Sequence, residues 1–184
     1  MGLFDFLSRK DPTHDWPAGG AVPLRFDVVR GELNGIAFDA PYDALRVLGK
    51  PSNPKPVATY LFAYAPLGLA VALGAKSEVL ALTCVFQAGA GGEADDFPGF
   101  VPCRIALRNE RGTLLEVTST TTRGVLQGAL EGALGPPAPG ELEGSHVSWA
   151  VVGSVRLGFS FDPAGQLTLL DIEPAEDDDT DEIA

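Results

Sequence analysis

The groups with the means to do chemistry in this 184-residue chain are two histidines, two cysteines and a scatter of carboxylates. His14 lies in "DPTHDWPAGG" and His146 at the entrance to "HVSWAVVG". Neither has a second His or a Cys at a spacing that grips zinc. No G-x-S-x-G elbow accompanies either of them to make a Ser-His-Asp triad. Both therefore read as surface histidines. Cys84 sits in the apolar run "EVLALTCVFQ" and reads as a small buried hydrophobe, with a bond or a reactive role as the alternative. Residues 89–94, "GAGGEA", satisfy G-x-G-x-x-A. Holding pyrophosphate needs a helix N-terminus behind such glycines, whereas "DDFPGF" follows with two carboxylates that repel phosphate. Asp95 and Asp96 are adjacent loop residues, while carboxylate-pair hydrolysis wants its two groups apart across a cleft. The expectation is a non-enzymatic protein with no catalytic residue, no cofactor and no metal.

Charge narrows the partners. Twenty-five acidic against thirteen basic side chains give a net charge of −12, with a pI of about 4.4. Such a surface repels nucleic acid and anionic lipid and favours a protein partner, a basic one above all. The two cysteines are too few for a disulfide scaffold. "MGLFDFLSRK" lacks the basic and apolar regions of a signal peptide, and no apolar run is long enough to span a membrane. The expected compartment is the cytoplasm. Leu3, Phe4, Phe6 and Leu7 share one helical face, closed by Pro12. That face either folds back on its own domain or docks in a partner's groove. Contact of residues 1–10 with a membrane surface is the weaker version, because the body is acidic. Trp149 is the candidate aromatic anchor for a partner, of a type enriched at interfaces.

These residues need elements to position them. "LRFDVV" and "LNGIAF" flank "RGE" as a hairpin. In "DAPYDALRVLGKP", Asp39 is placed to cap a helix, Pro41 suits its first turn, and Gly49 and Pro51 end it. "ATYLFAYA", "LGLAVALGA" and "EVLALTCVF" then read as three strands, the middle one alternating strictly. After the break "QAGAGGEADDFPGF" the order restarts. "CRIALR" and "TLLEVTS" form a hairpin around "NERG". Residues 120–122, all threonine, cap a helix that carries the apolar stripe of Val125, Leu126, Ala129, Leu130, Ala133 and Leu134. Gly135 and Pro136 end it, "PPAPGELEG" is a polar loop, and "HVSWAVVG", "VRLGFSF" and "LTLLDIE" are strands. Gly124, Gly128 and Gly132 recur every four residues along the helix. Close approach of the helix to its own sheet is the expected reason, with a smooth groove for a partner as the alternative.

The same order of elements is thus written twice, which a duplicated unit explains economically. The expected fold class is α+β: two tandem ββαβββ repeats, each an antiparallel sheet with one helix packed on it. The expected organisation is an N-terminal amphipathic segment and linker (1–21), repeat 1 (22–87), a flexible connector (88–100), repeat 2 (101–174) and a disordered acidic tail (175–184). Leu48, Gly49 and Pro51, then Leu134, Gly135 and Pro137, each followed by three strands, resemble the repeat of the SmpA/OmlA (BamE-like) outer-membrane lipoproteins and of the β-lactamase inhibitor proteins. Those families place a helix pair before the strands and the lipoproteins carry a lipidated cysteine, neither of which is read here. The resemblance implies a non-catalytic protein-binding module. The leading expectation is a cytoplasmic adaptor. Its alternatives are an immunity or inhibitor protein that neutralises a basic toxin or nuclease, and an enzyme or small-molecule carrier with a pocket between the lobes around Trp149, Tyr60 or His146.

Overall fold

Alternating apolar residues build most of the regular structure of this molecule as strands. The structure, a computed structural model, describes residues 12–53, 59–87, 99–140 and 143–175. In chain order the described strands are β1 (Leu24–Asp27), β2 (Glu32–Leu33), β3 (Ile36–Ala37), β4 (Leu61–Tyr64), β5 (Leu69–Leu73), β6 (Val79–Val85), β7 (Ile105–Arg108), β8 (Leu114–Val117), β9 (Ala138–Pro139), β10 (His146–Val152), β11 (Val155–Phe161) and β12 (Leu167–Pro174). A 3-10 helix spans Tyr42–Leu48, a shorter one Ala65–Leu67, and the α-helix α1 spans Arg123–Ala129.

The fold is mixed α+β, mostly strand. Its strands form a five-stranded sheet in the order β3-β2-β1-β7-β8 and a seven-stranded sheet in the order β4-β5-β6-β12-β11-β10-β9. The expected pair of self-contained antiparallel sheets does not form, because each sheet takes strands from both halves of the chain. β6 joins β12 antiparallel, from Leu82↔Ile172 to Val85↔Leu169. β1 joins β7 in parallel, with Phe26 opposite Leu107. Standing apart, each half would expose two strand edges with unpaired N–H and C=O groups, and the merger pairs them. The order in both sheets is nonetheless mirrored about the joint: β4-β5-β6 meets β12-β11-β10, and β2-β1 meets β7-β8.

The helices are shorter than their sequence signals suggest. Asp39 does not cap the first. It lies at φ 68°, its backbone N–H donates to the Val79 carbonyl, and Pro41 takes the cap position with no side-chain bond. The element that follows is 3-10, with Leu45 and Leu48 buried and Gly49 ending it at φ 86°. In the second, Thr122 caps as expected, its side chain accepting the Val125 N–H. The helix then stops at Ala129, well before Gly135, because Glu131 and Gly132 turn to positive φ. Leu130 and Leu134 remain buried beyond its end.

One core lies between the sheets. Phe26, Leu33, Ile105, Leu107 and Val117 of the smaller sheet meet Phe62, Leu69, Leu82, Phe159, Phe161 and Ile172 of the larger, together with Trp16, Leu45, Leu48 and Leu126. Burial of this hydrocarbon is the main stabilising term.

Candidate functional site

The larger sheet has two faces, and the second is where Trp149 stands. Along β10, Ser148, Ala150 and Val152 are buried, while Val147, Trp149 and Val151 alternate with them on the outer face. The turn at Gly153 and Ser154 makes β10 and β11 a hairpin with Trp149 opposite Gly158 and Val151 opposite Arg156. The indole crosses β11 above Gly158, so closely that a Cβ at 158 would stand under 3.0 Å from three of its ring carbons. The Arg156 guanidinium lies 4.0 Å over the ring centroid, and Glu173 Oε1 holds Arg156 Nη1 at 3.2 Å. Cation, ring and carboxylate thus form one ordered stack across three strands, with the cation–π contact worth about 0.5–1 kcal/mol at a partly exposed site.

From this stack the outer face runs over small and polar residues. Asp171 accepts a hydrogen bond from Thr83 Oγ1 at 2.8 Å, and Ala72 pairs with Ala81 beyond it. At the far side a satellite cluster forms: Ala70, Val85 and Leu169, with Leu61, Ala63 and Ala65, lie under Phe100. Phe100 comes from the segment that leads into β7. That segment is tied down by Val101 N–H to the Ala65 carbonyl (2.9 Å) and Cys103 N–H to the Val85 carbonyl (2.8 Å). Gly68 permits the crossing: a Cβ there would overlap the Val101 carbonyl oxygen and stand 2.7 Å from the Cys103 nitrogen.

A second feature is an open cleft of about 520 Å³ where β7, β8 and α1 meet, lined by Arg104, Glu116 and residues 118–121 among others. Its hydroxyls are largely engaged with each other and with backbone: Thr121 Oγ1 accepts the Thr118 N–H, and Thr118 and Thr120 share a hydrogen bond. Among the described residues no group of three or more His, Cys, Asp or Glu side chains could hold a metal ion.

The remaining sequence candidates are dispersed. Leu3, Phe4, Phe6 and Leu7 lie outside the described residues, as do residues 89–94, Asp95 and Asp96 and most of the acidic tail. His14 is exposed, 3.9 Å from the Asp15 carboxylate. His146 stacks on Phe161 with centroids 4.8 Å apart. Tyr60 is exposed beside β4. The helix glycines do not mark a close approach to the sheet: Gly128 is exposed and a Cβ there would meet nothing within 4 Å, while Gly132 lies past the helix end. Arg156 and Gly158, which hold Trp149, escaped the sequence reading. The signal was present. A two-residue Gly-Ser turn between "HVSWAVV" and "VRLGFSF" sets the register that puts 149 opposite 158.

Among the described residues no helix is long and apolar enough to cross a membrane. Comparison of the chain with family models, curated proteins and solved structures finds no significant match.

Proposed function

We propose that this chain is a non-enzymatic protein-binding module, a cytoplasmic adaptor, that receives its partner on the outer face of the seven-stranded sheet. Trp149 is the anchor, and the apolar N-terminal residues Leu3, Phe4, Phe6 and Leu7 supply a second contact. The observation that carries this reading is the stack of Glu173, Arg156 and Trp149 over Gly158. Trp and Arg dominate binding hot spots. An indole already fixed by a cation and seated on a glycine loses little rotamer freedom when a partner covers it, so more of its contact energy goes into affinity. The net charge of −12 favours a basic partner and faster association with it at low salt. The mirrored strand orders support descent of the two halves from a duplicated ββαβββ unit, in keeping with the BamE-like resemblance. The same charge supports the second reading, an inhibitor of a basic toxin or nuclease.

The test compares capture of binding partners from the native host by the full chain and by Trp149→Ala. Leu114→Ala, on the exposed side of the other sheet, serves as control. Removing a hot-spot anchor costs about 2 kcal/mol or more, roughly 30-fold in affinity. The Trp149→Ala chain, still folded by circular dichroism, loses the partner that the control retains. Equal capture by all three chains, unaltered by deleting residues 1–11, rejects the proposal. Binding that collapses as salt rises, with the Trp149→Ala chain unaffected, selects the inhibitor reading.

A further inference from the structure

The chain's two cysteines are far apart in sequence and meet in the core. Cys84 is on β6 and Cys103 on the approach to β7, and both are free thiols with 0% and 1% of their surface exposed. The Cys103 N–H donates to the carbonyl of Val85, the residue after Cys84, which brings the two backbones side by side. Both side chains belong to the same buried core cluster, and Gly68, whose carbonyl accepts the Val85 N–H, lies directly against the Cys103 backbone. Simple packing explains a buried cysteine as a small hydrophobe. It does not explain why the chain's two thiols share one spot, at the joint between its halves.

We propose that Cys84 and Cys103 are a reversible dithiol–disulfide pair, closed by a hydroperoxide and reopened by a dithiol reductant, that locks the end of β6 to the segment entering β7. Cys103 is the attacking residue, because it belongs to the wall of the open cleft beside Arg104, through which peroxide arrives. Its thiolate takes one oxygen from the peroxide and becomes a sulfenic acid, and the peroxide leaves as water once protonated. The Cys84 sulfur then attacks the Cys103 sulfur, the S–O bond breaks, a second water leaves and the S–S bond remains. Overall, two thiols and one hydrogen peroxide give one disulfide and two waters. Cys84 does not line the cleft and serves as the resolving residue, its thiol proton passing to the departing oxygen; interaction with Cys103, burial and the nearby Asp171 carboxylate push its pKa up. The bond would fix residues 101–103 where they cross Gly68, and with them Phe100 on the outer-face cluster. This inference does not depend on the adaptor reading.

The test is the intact mass of the reduced, full-length protein after hydrogen peroxide treatment near neutral pH. A disulfide removes two hydrogens, so the monomer loses about 2 Da, both thiols resist alkylation after denaturation, and dithiothreitol restores them. Closing a loop of this length raises Tm by about 5–10 °C. Cys84→Ser and Cys103→Ser each abolish the 2 Da loss; should either fail to fold, the wild-type mass alone decides. An unchanged mass with two alkylatable thiols overturns the proposal. A gain of oxygen atoms without a disulfide, or a disulfide between two chains, overturns it equally.

Discussion

Arg123 puts a cation at the first residue of α1, the helix end where the backbone dipole disfavours positive charge. Its hydrogen bonds account for it. Nε donates to the buried Ser148 hydroxyl at 3.2 Å, and Nη2 donates to the Gly135 carbonyl at 2.8 Å, so one side chain ties α1 to β10 and to the chain leaving the helix. Arg123→Ala leaves both acceptors without this partner and lowers stability by about 1–3 kcal/mol. Arg123→Lys recovers less than half, since an ammonium lacks the planar fork. Urea denaturation of the three proteins measures this. Tyr64 sets a different limit. Its ring is buried on the inner face of β4 with its hydroxyl 3.5 Å from the Leu45 carbonyl, and burial raises its pKa from the ordinary 10.0. The folded protein therefore holds this proton where the unfolded chain releases it. Its contribution is complete below about pH 10 and declines as pH rises past that value, by up to about 1.4 kcal/mol per pH unit. Cys84, raised from 9.0, adds a loss of the same sign. Tyr64→Phe makes the decline between about pH 9 and pH 11 shallower without removing it; an identical slope in the variant contradicts the assignment to Tyr64.

At the scale of elements, α1 shows what local signals reach and where they stop. Thr122 reads as a cap and is one, because capping needs only the three residues beyond it. The helix end does not read correctly: the apolar stripe continues through Leu130 and Leu134, and both are buried, but beyond Ala129 they arrive on irregular chain rather than on a helix face. Gly128 is inside α1, with room on its Cβ side and no need for positive φ. Gly128→Ala therefore stabilises the protein by about 0.5–1 kcal/mol, chiefly through the unfolded chain. A drop in Tm contradicts this account of Gly128. Strands were the most legible elements, since Val155, Leu157, Phe159 and Phe161 alternate on one face whatever they pair with. "LNGIAF" carries a turn signal of its own. Read as one strand, it breaks at Asn34 (φ 50°) and Gly35 (φ 84°) into a two-residue hairpin turn, the geometry that Asn-Gly most favours. The docking stack was half legible: Trp149 stood out as a residue, but Arg156 and Glu173 join it only through cross-strand register.

For the whole molecule, pairing between halves was beyond local reading, because β6↔β12 and β1↔β7 depend on contacts distant in sequence and on no turn. This pairing also decides how the protein unfolds. Removing the first half would strip β12 of β6 and β7 of β1, and would open the core that Phe62 and Leu82 share with Phe159 and Ile172. Neither half has a core of its own, so the chain should lose both together in one cooperative transition. Its two tryptophans report on opposite halves. Trp16 packs on Tyr42 and Phe62 in the first, and Trp149 stands on β10 in the second. In Trp149→Phe the fluorescence follows Trp16 alone, and in Trp16→Phe it follows Trp149 alone. Within each variant, the urea midpoint from fluorescence coincides with the midpoint from circular dichroism, although the two variants differ in stability. A Trp149 signal that moves at lower urea than the strand signal would mean that the second half opens first, and that the merged sheets are two separable units.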